Sequence, residues 1–134
     1  MKWLLAFAFT IWSFGAFAQT NCLVPSSFPA TPVVSTVAEG THILKPSSGC
    51  LIAVSVTSGA VSGYLLVYNS ITAPVDGTVT PIECVPVGAN SLQFINFAPQ
   101  PPEFYSVGIS VVYSTTGCFI QTTSATAFFH ALIQ

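Results

Sequence analysis

The chain has 134 residues, about half of them hydrophobic, but only two bases and four acids. Charged residues make up 4%, against about 25% in ordinary soluble proteins. Nucleic-acid binding needs clustered Lys and Arg to displace counterions from phosphates. An acidic-substrate site or a basic membrane-surface patch draws on the same side chains, so all three functions are excluded.

Lys2 gives the chain a positive start, and Trp3 to Phe17 form an apolar run broken by Thr10, Ser13 and Gly15. Ala16-Phe17-Ala18 follows as a small-residue cleavage signature. That order predicts a signal peptide over residues 1–18, cut before Gln19, and hence an exported protein: periplasmic, extracellular or virion-associated. The run is shorter than the roughly 20 apolar residues of a bilayer span, and no later stretch is long enough, so no membrane span is expected after cleavage. Residues 19–134 then form one domain, large enough to bury its own core.

Asn21 to Pro32 is rich in Pro, Ser and Thr and reads as an extended lead-in or an edge strand. A short strand is expected at Val33 to Val37, then a Glu39-Gly40 turn into Thr41 to Leu44. Ile52, Val54 and Val56 alternate with Ala53, Ser55 and Thr57, the period of a sheet with one buried face. Tyr64 to Tyr68 is a second β-rich run, and Ala73-Pro74-Val75-Asp76-Gly77 is the strongest turn signal, with Asp-Gly able to take positive φ. Thr78 to Val87 is extended but interrupted by Pro81 and Pro86, as at a sheet edge.

Gly88-Ala89-Asn90 turns into Leu92 to Phe97, which places apolar residues on both faces, and Pro99-Gln100-Pro101-Pro102 makes a stiff loop. Val107, Ile109, Val111 and Tyr113 restore the alternation, Cys118 to Thr123 is extended, and Ala125 to Ile133 is a final strand. Short strands punctuated by turn signals predict an all-β, small antiparallel β-sandwich, jelly-roll-like or immunoglobulin-like. Runs apolar on both sides, Leu92 to Phe97 and Ala125 to Ile133, point to stacked sheets or to an outer face covered by a neighbour. Ser47-Ser48-Gly49-Cys50-Leu51-Ile52 resembles Thr115-Thr116-Gly117-Cys118-Phe119-Ile120, one turn-into-strand solution used twice.

Cys22, Cys50, Cys84 and Cys118 are an even set in an exported chain and predict two disulfides. Three connectivities are available. Neighbouring strands tend to pair in sequence order, which favours Cys22–Cys50 and Cys84–Cys118. No Cys-x-x-Cys or zinc-like Cys/His spacing occurs, nor a calcium loop, so no metal or other cofactor is expected.

Catalysis finds little to stand on. Nucleophilic chemistry needs a base beside the nucleophile, and the candidates are His42, near Glu39 across a glycine turn, and His130 in the apolar last strand. That strand makes His130 a core or interface histidine rather than a base, and no Gly-x-Ser-x-Gly elbow exists. Glycosidase carboxylates would come from Glu39, Asp76, Glu83 and Glu103. Asp76 is explained by its turn, Glu83 by an edge strand that a charge protects, and Glu103 by the proline loop before it. No catalytic residue is assigned. For sugar binding, Trp3 and Trp12 lie in the segment to be removed, and most of Tyr64, Tyr68, Tyr105 and Tyr113 are core candidates.

One resemblance rests on particular residues: Tyr68-Asn69, Ala73 to Pro81, Cys84, Phe104 to Val112, Ser114-Thr115-Thr116-Gly117-Cys118-Phe119 and Thr123 to Phe128. This series resembles a family of small all-β proteins encoded by bacteriophages and prophages. The resemblance implies a virion or fibre-associated component with no catalytic residues. The expected function is a non-enzymatic structural or interaction subunit of a viral particle or cell surface, assembling through uncharged β faces as a homo-oligomer or with other virion or surface proteins. A monomeric secreted module recognising glycan or protein, through loops such as Pro99 to Phe104, is the competing expectation, and a small secreted hydrolase the third.

Overall fold

The computed structural model describes Cys22, residues 29–97 and residues 99–134. The expected signal peptide and its cleavage point lie outside the described residues. Those described are all-β, in the chain order β1 (Thr31–Val34), β2 (Thr41–Lys45), β3 (Gly49–Ser58), β4 (Gly63–Asn69), β5 (Gly77–Thr78), β6 (Glu83–Val87), β7 (Leu92–Asn96), β8 (Glu103–Tyr105), β9 (Ile109–Ser114), β10 (Ile120–Gln121) and β11 (Ala127–Ile133).

The pairing is that of one long hairpin rolled up. Around a tip between β4 and β6, four antiparallel pairs nest outward: β4 with β6, β3 with β7, β2 with β9, and β1 with β11. Rolling brings β11 beside β3 and β9 beside β4. The result is two sheets, sheet A in the order β1-β11-β3-β7 and sheet B in the order β2-β9-β4-β6, with a separate β5–β10 ribbon. This nested order is a jelly roll, which decides between the two expected sandwich topologies. As Pro81 and Pro86 imply, β6 is an edge strand.

β8 prolongs the edge that β7 begins. Leu92–Asn96 lies opposite Thr57–Ala53 of β3, and Glu103–Tyr105 opposite Leu51–Gly49. The prolines at 99, 101 and 102 have no N–H to give, so the ladder breaks there and resumes at Glu103.

The main core lies between the sheets. Val54 and Val56 of β3, Phe129 of β11, Leu65 and Val67 of β4, and Val111 and Tyr113 of β9 meet there, all but inaccessible. One predicted detail fails. Ile133 pairs with Leu51 and Leu132 with Ala53, so Ile52 is an extra residue in a bulge. Leu51 therefore takes the inward place that simple alternation gives to Ile52, and a bulge is invisible to a period-two reading. The expected strand at Val33 to Val37 is shorter and begins earlier, at Thr31–Val34; that at Cys118 to Thr123 shrinks to Ile120–Gln121.

Sheet B is buried on both sides. All six residues of β9 are buried, and on its outer side Leu66, Tyr68, Val112 and Val79 form a second cluster with Cys84 packed against it. The chain around β5 and β10 covers that side, and the Cys84–Cys118 disulfide ties the cover to β6. Both disulfides have the expected pairing; the other joins Cys22 to Cys50 of β3.

Candidate functional site

Four places in the molecule bring chemistry-bearing residues together. The first is the cover of sheet B. Asp76 ends the predicted turn, and Gly77 follows it at φ +134°, a backbone conformation that favours glycine. The Asp76 carboxylate accepts from the Thr123 hydroxyl at 2.6 Å, from the Thr123 N–H at 2.9 Å, and from Gln121 Nε2 at 3.4 Å. The two Thr123 bonds, helped by Gln121 and opposed by slight desolvation, hold its carboxyl below the usual aspartate range. Gln121, buried, donates from Nε2 to the Pro74 carbonyl at 2.8 Å and accepts at Oε1 from the Tyr68 hydroxyl at 2.8 Å. Burial pushes the Tyr68 phenol up to about 12. Apart from Tyr68, which stands on β4 of sheet B, the partners in this network belong to the chain around the β5–β10 ribbon, so its work is to fasten the cover to the sheet.

The second and third places are the two lateral seams where the sheets meet. On one, β2 of sheet B lies over β11 of sheet A. Glu39 bonds through its backbone N–H to the Ala127 carbonyl at 2.8 Å, and its Oε1 sits 2.7 Å from His42 Nδ1. The His42 ring stacks on Phe129, with centroids 6.5 Å apart. Glu39 and His42, neighbours in sequence across the glycine turn, are thus brought together. The ring is held between a carboxylate and a core phenylalanine, which makes it a cross-sheet clasp.

On the opposite seam, β6 of sheet B meets the β7–β8 edge of sheet A. Glu83 stands opposite Val67 and Glu103 opposite Leu51, both on the core side of their sheets. Burial first, then the charge of Glu83, raises the Glu103 carboxyl above the usual glutamate range. Tyr105, two residues along the same face of β8 and 1% exposed, has a hydroxyl without a hydrogen-bond partner. Burial, reinforced by Glu103 and Glu83, drives its phenol far up. Residues explained separately by an edge strand and a proline loop are thus one cluster. Only the rolled topology joins them, so no sequence signal marks the pair.

The fourth place is the outer face of sheet A. The register aligns Phe128, Thr57 and Leu92 in one row. The next row is Val34, His130, Ser55 and Phe94, and the one after it Pro32, Leu132, Ala53 and Asn96. Phe94 is 62% exposed, Leu92 63%, Val34 53% and Phe128 48%. No Asp, Glu, Lys or Arg stands in these rows. His130 is exposed in the middle of them, which removes the core half of the expectation of a core or interface histidine: it alternates with the inward Phe129 and Ala131. The apolar character of both faces of Leu92 to Phe97 and of the last strand is the sequence signal for this surface.

At the end of sheet B where β4 begins and β6 and β9 end opens a shallow cavity of about 360 Å³, lined by Tyr64, Pro86, Ser62, Thr115 and Thr116 among others. The Pro99 to Phe104 segment is partly tied down, with Pro102 buried and Phe104 paired opposite Cys50. Among the described residues no three His, Cys, Asp or Glu side chains are grouped to hold a metal ion. Comparison with family models, with curated proteins and with solved structures finds no match to this chain.

Proposed function

We propose that this protein is an exported, non-enzymatic structural subunit of a viral particle or cell surface, and that it assembles through the open face of sheet A. The observation that carries the reading is the run of aligned rows in which Phe128, Leu92, Val34 and Phe94 are about half exposed or more and no charged residue stands. Contiguous exposed apolar surface on a small domain marks a contact site, and here nothing repels a partner of the same composition. Two disulfides belong to a non-reducing compartment, where a signal peptide would deliver the chain. The jelly roll serves in viral capsid subunits and in lectin domains, a likeness of fold and not of site.

The test is sedimentation velocity on the purified oxidised protein and on a Phe94→Ser/Phe128→Ser variant. Wild type should form concentration-dependent oligomers that the variant lacks; a wild type that stays monomeric at high concentration sinks the reading. One observation favours the second reading, a glycan-recognition module. The cavity at Tyr64 and Pro86 is uncharged and rimmed by hydroxyls, as a neutral sugar requires. A monomer whose Tyr64 and Thr116 resonances move on adding neutral oligosaccharides would favour that module.

A further inference from the structure

The open face of sheet A has relief as well as apolar character. β3 runs through its middle and turns outward only small residues, Thr57, Ser55 and Ala53. On one side of this trough β11 raises a ridge of Phe128, His130 and Leu132. On the other β7 raises a ridge of Leu92, Phe94 and Asn96. Such a face is complementary to itself. Turned over about an axis that runs with the strands between β11 and β3, a second copy lays its β11 ridge in this trough and offers its own trough in return. The same turn sets each β7 ridge against Val34 and Pro32 at the other copy's β1 edge.

Charge selects the same occupant. No Asp, Glu, Lys or Arg stands in these rows, so a charged group brought onto them would lose its water with nothing to pair it. A chain with 4% charged residues carries the matching neutral surface in every copy. Resting on the assembly reading above, we propose that sheet A pairs with sheet A of a second copy about this two-fold axis, and that proton uptake by His130 parts the pair.

His130 stands in the middle row on a central strand, so a copy that covers the rows covers it. Around it are Val34 from β1, Ser55 from β3 and Phe94 from β7, none of them titratable. The axis brings over it Ser55 of the second copy and, one strand spacing of roughly 4.8 Å to the side, that copy's His130. A neutral imidazole can trade a hydrogen bond with a serine hydroxyl there. An imidazolium has no counter-ion and lies close to its twin, and burying it costs far more than burying the neutral ring. Histidine changes charge between about pH 5 and 8. The protonated ring therefore favours the separated copies: association is full at the alkaline end and is lost as pH falls through that interval. Glu39 and His42 at the β2 seam, and Glu103 opposite Leu51 on the core side, lie off this face.

The experiment is sedimentation velocity on the oxidised protein at about pH 8 and about pH 5, beside a His130→Gln variant that stays neutral at both. Wild type should dimerise at the upper pH and at least about tenfold more weakly at the lower, while the variant holds together equally at both. Wild type that dimerises equally at both overturns the proton gate and leaves assembly through sheet A standing. Acid dissociation that the variant shares overturns the gate as well. Wild type that is monomeric throughout overturns the assembly reading and the gate together. Ser55→Trp, which fills the trough, should abolish dimers at either pH, and dimers that survive it overturn the two-fold packing. Histidine proton titration by NMR decides without any substitution. His130 must take up its proton at lower pH in concentrated than in dilute protein, and one titration curve at both concentrations overturns the proposal.

Discussion

Sheet A and sheet B are built alike, each of four antiparallel tiers with alternate residues turned to the common core, but their outer faces have opposite fates. Outside sheet B, Leu66, Tyr68 and Val112 are buried under the β5–β10 ribbon. Outside sheet A, Phe94, Leu92 and Phe128 meet solvent. Apolar residues on an outward face do not themselves say whether the chain will cover them. The difference lies in the fastenings: sheet B has Cys84–Cys118, the buried Gln121 amide and the Asp76 turn, and among the described residues nothing comparable lies over sheet A.

Undoing the fastenings is the strongest way to break this contrast. The Cys84–Cys118 bridge closes a loop of 34 residues, and its removal in a Cys84→Ala/Cys118→Ala variant should cost about 4 kcal/mol by release of the unfolded chain. Urea unfolding measures it, and a loss below about 1 kcal/mol would mean that the cover holds without the bridge. Gln121→Ala comes next. It strands the buried Tyr68 hydroxyl and the part-buried Pro74 carbonyl, for a loss of about 3 kcal/mol. Tyr68→Phe removes one side of that network and should cost about 1 kcal/mol, so equal losses in the two variants would show that Gln121 holds nothing beyond Tyr68.

How much of this was readable beforehand depended on range. Local alternation placed Val54, Val56, Ile109, Val111 and Tyr113 in the core, because a period of two needs only the strand itself, whereas Val107 of the same series precedes β9 and is exposed. The disulfide pairing came out as sequence order suggests, yet not through adjacent strands: Cys22 precedes β1 and Cys118 precedes β10, and neither β1–β3 nor β6–β10 is a ladder. The jelly roll itself was one of two options, since every nested pair is a long-range contact. The same limit hid the nearness of Glu83 and Glu103, which stand on the core sides of two different sheets. For His130 the strand left core and interface both open, and only the finding that β11 is buried on one side removes the core.

The cover should also answer to acid. Hydrogen bonds from Thr123 hold the Asp76 carboxyl low, so its contribution is present above the ordinary aspartate value of 3.8 and is lost as pH falls through the depressed one. Asp76→Asn keeps an acceptor for Thr123 but has no charge to lose. The wild-type midpoint should therefore fall in that acid window relative to the variant. Two curves that fall together would place the acid sensitivity elsewhere.

The smallest effect on stability is expected on the open face, and its smallness is the point. Phe94 packs outward from an edge strand with 62% of its surface in solvent, so a single chain loses little when it becomes serine. Phe94→Ser should move the unfolding midpoint of the dilute protein by no more than about 0.5 kcal/mol, as exposed positions usually do. The same change should sharply weaken self-association at high concentration, because a contact between two such faces removes that ring from water in both copies. Stability and assembly then separate in one variant. If Phe94→Ser instead destabilised the dilute monomer as Gln121→Ala does, the face would already be covered by the chain itself, and the contrast between the two sheets would vanish.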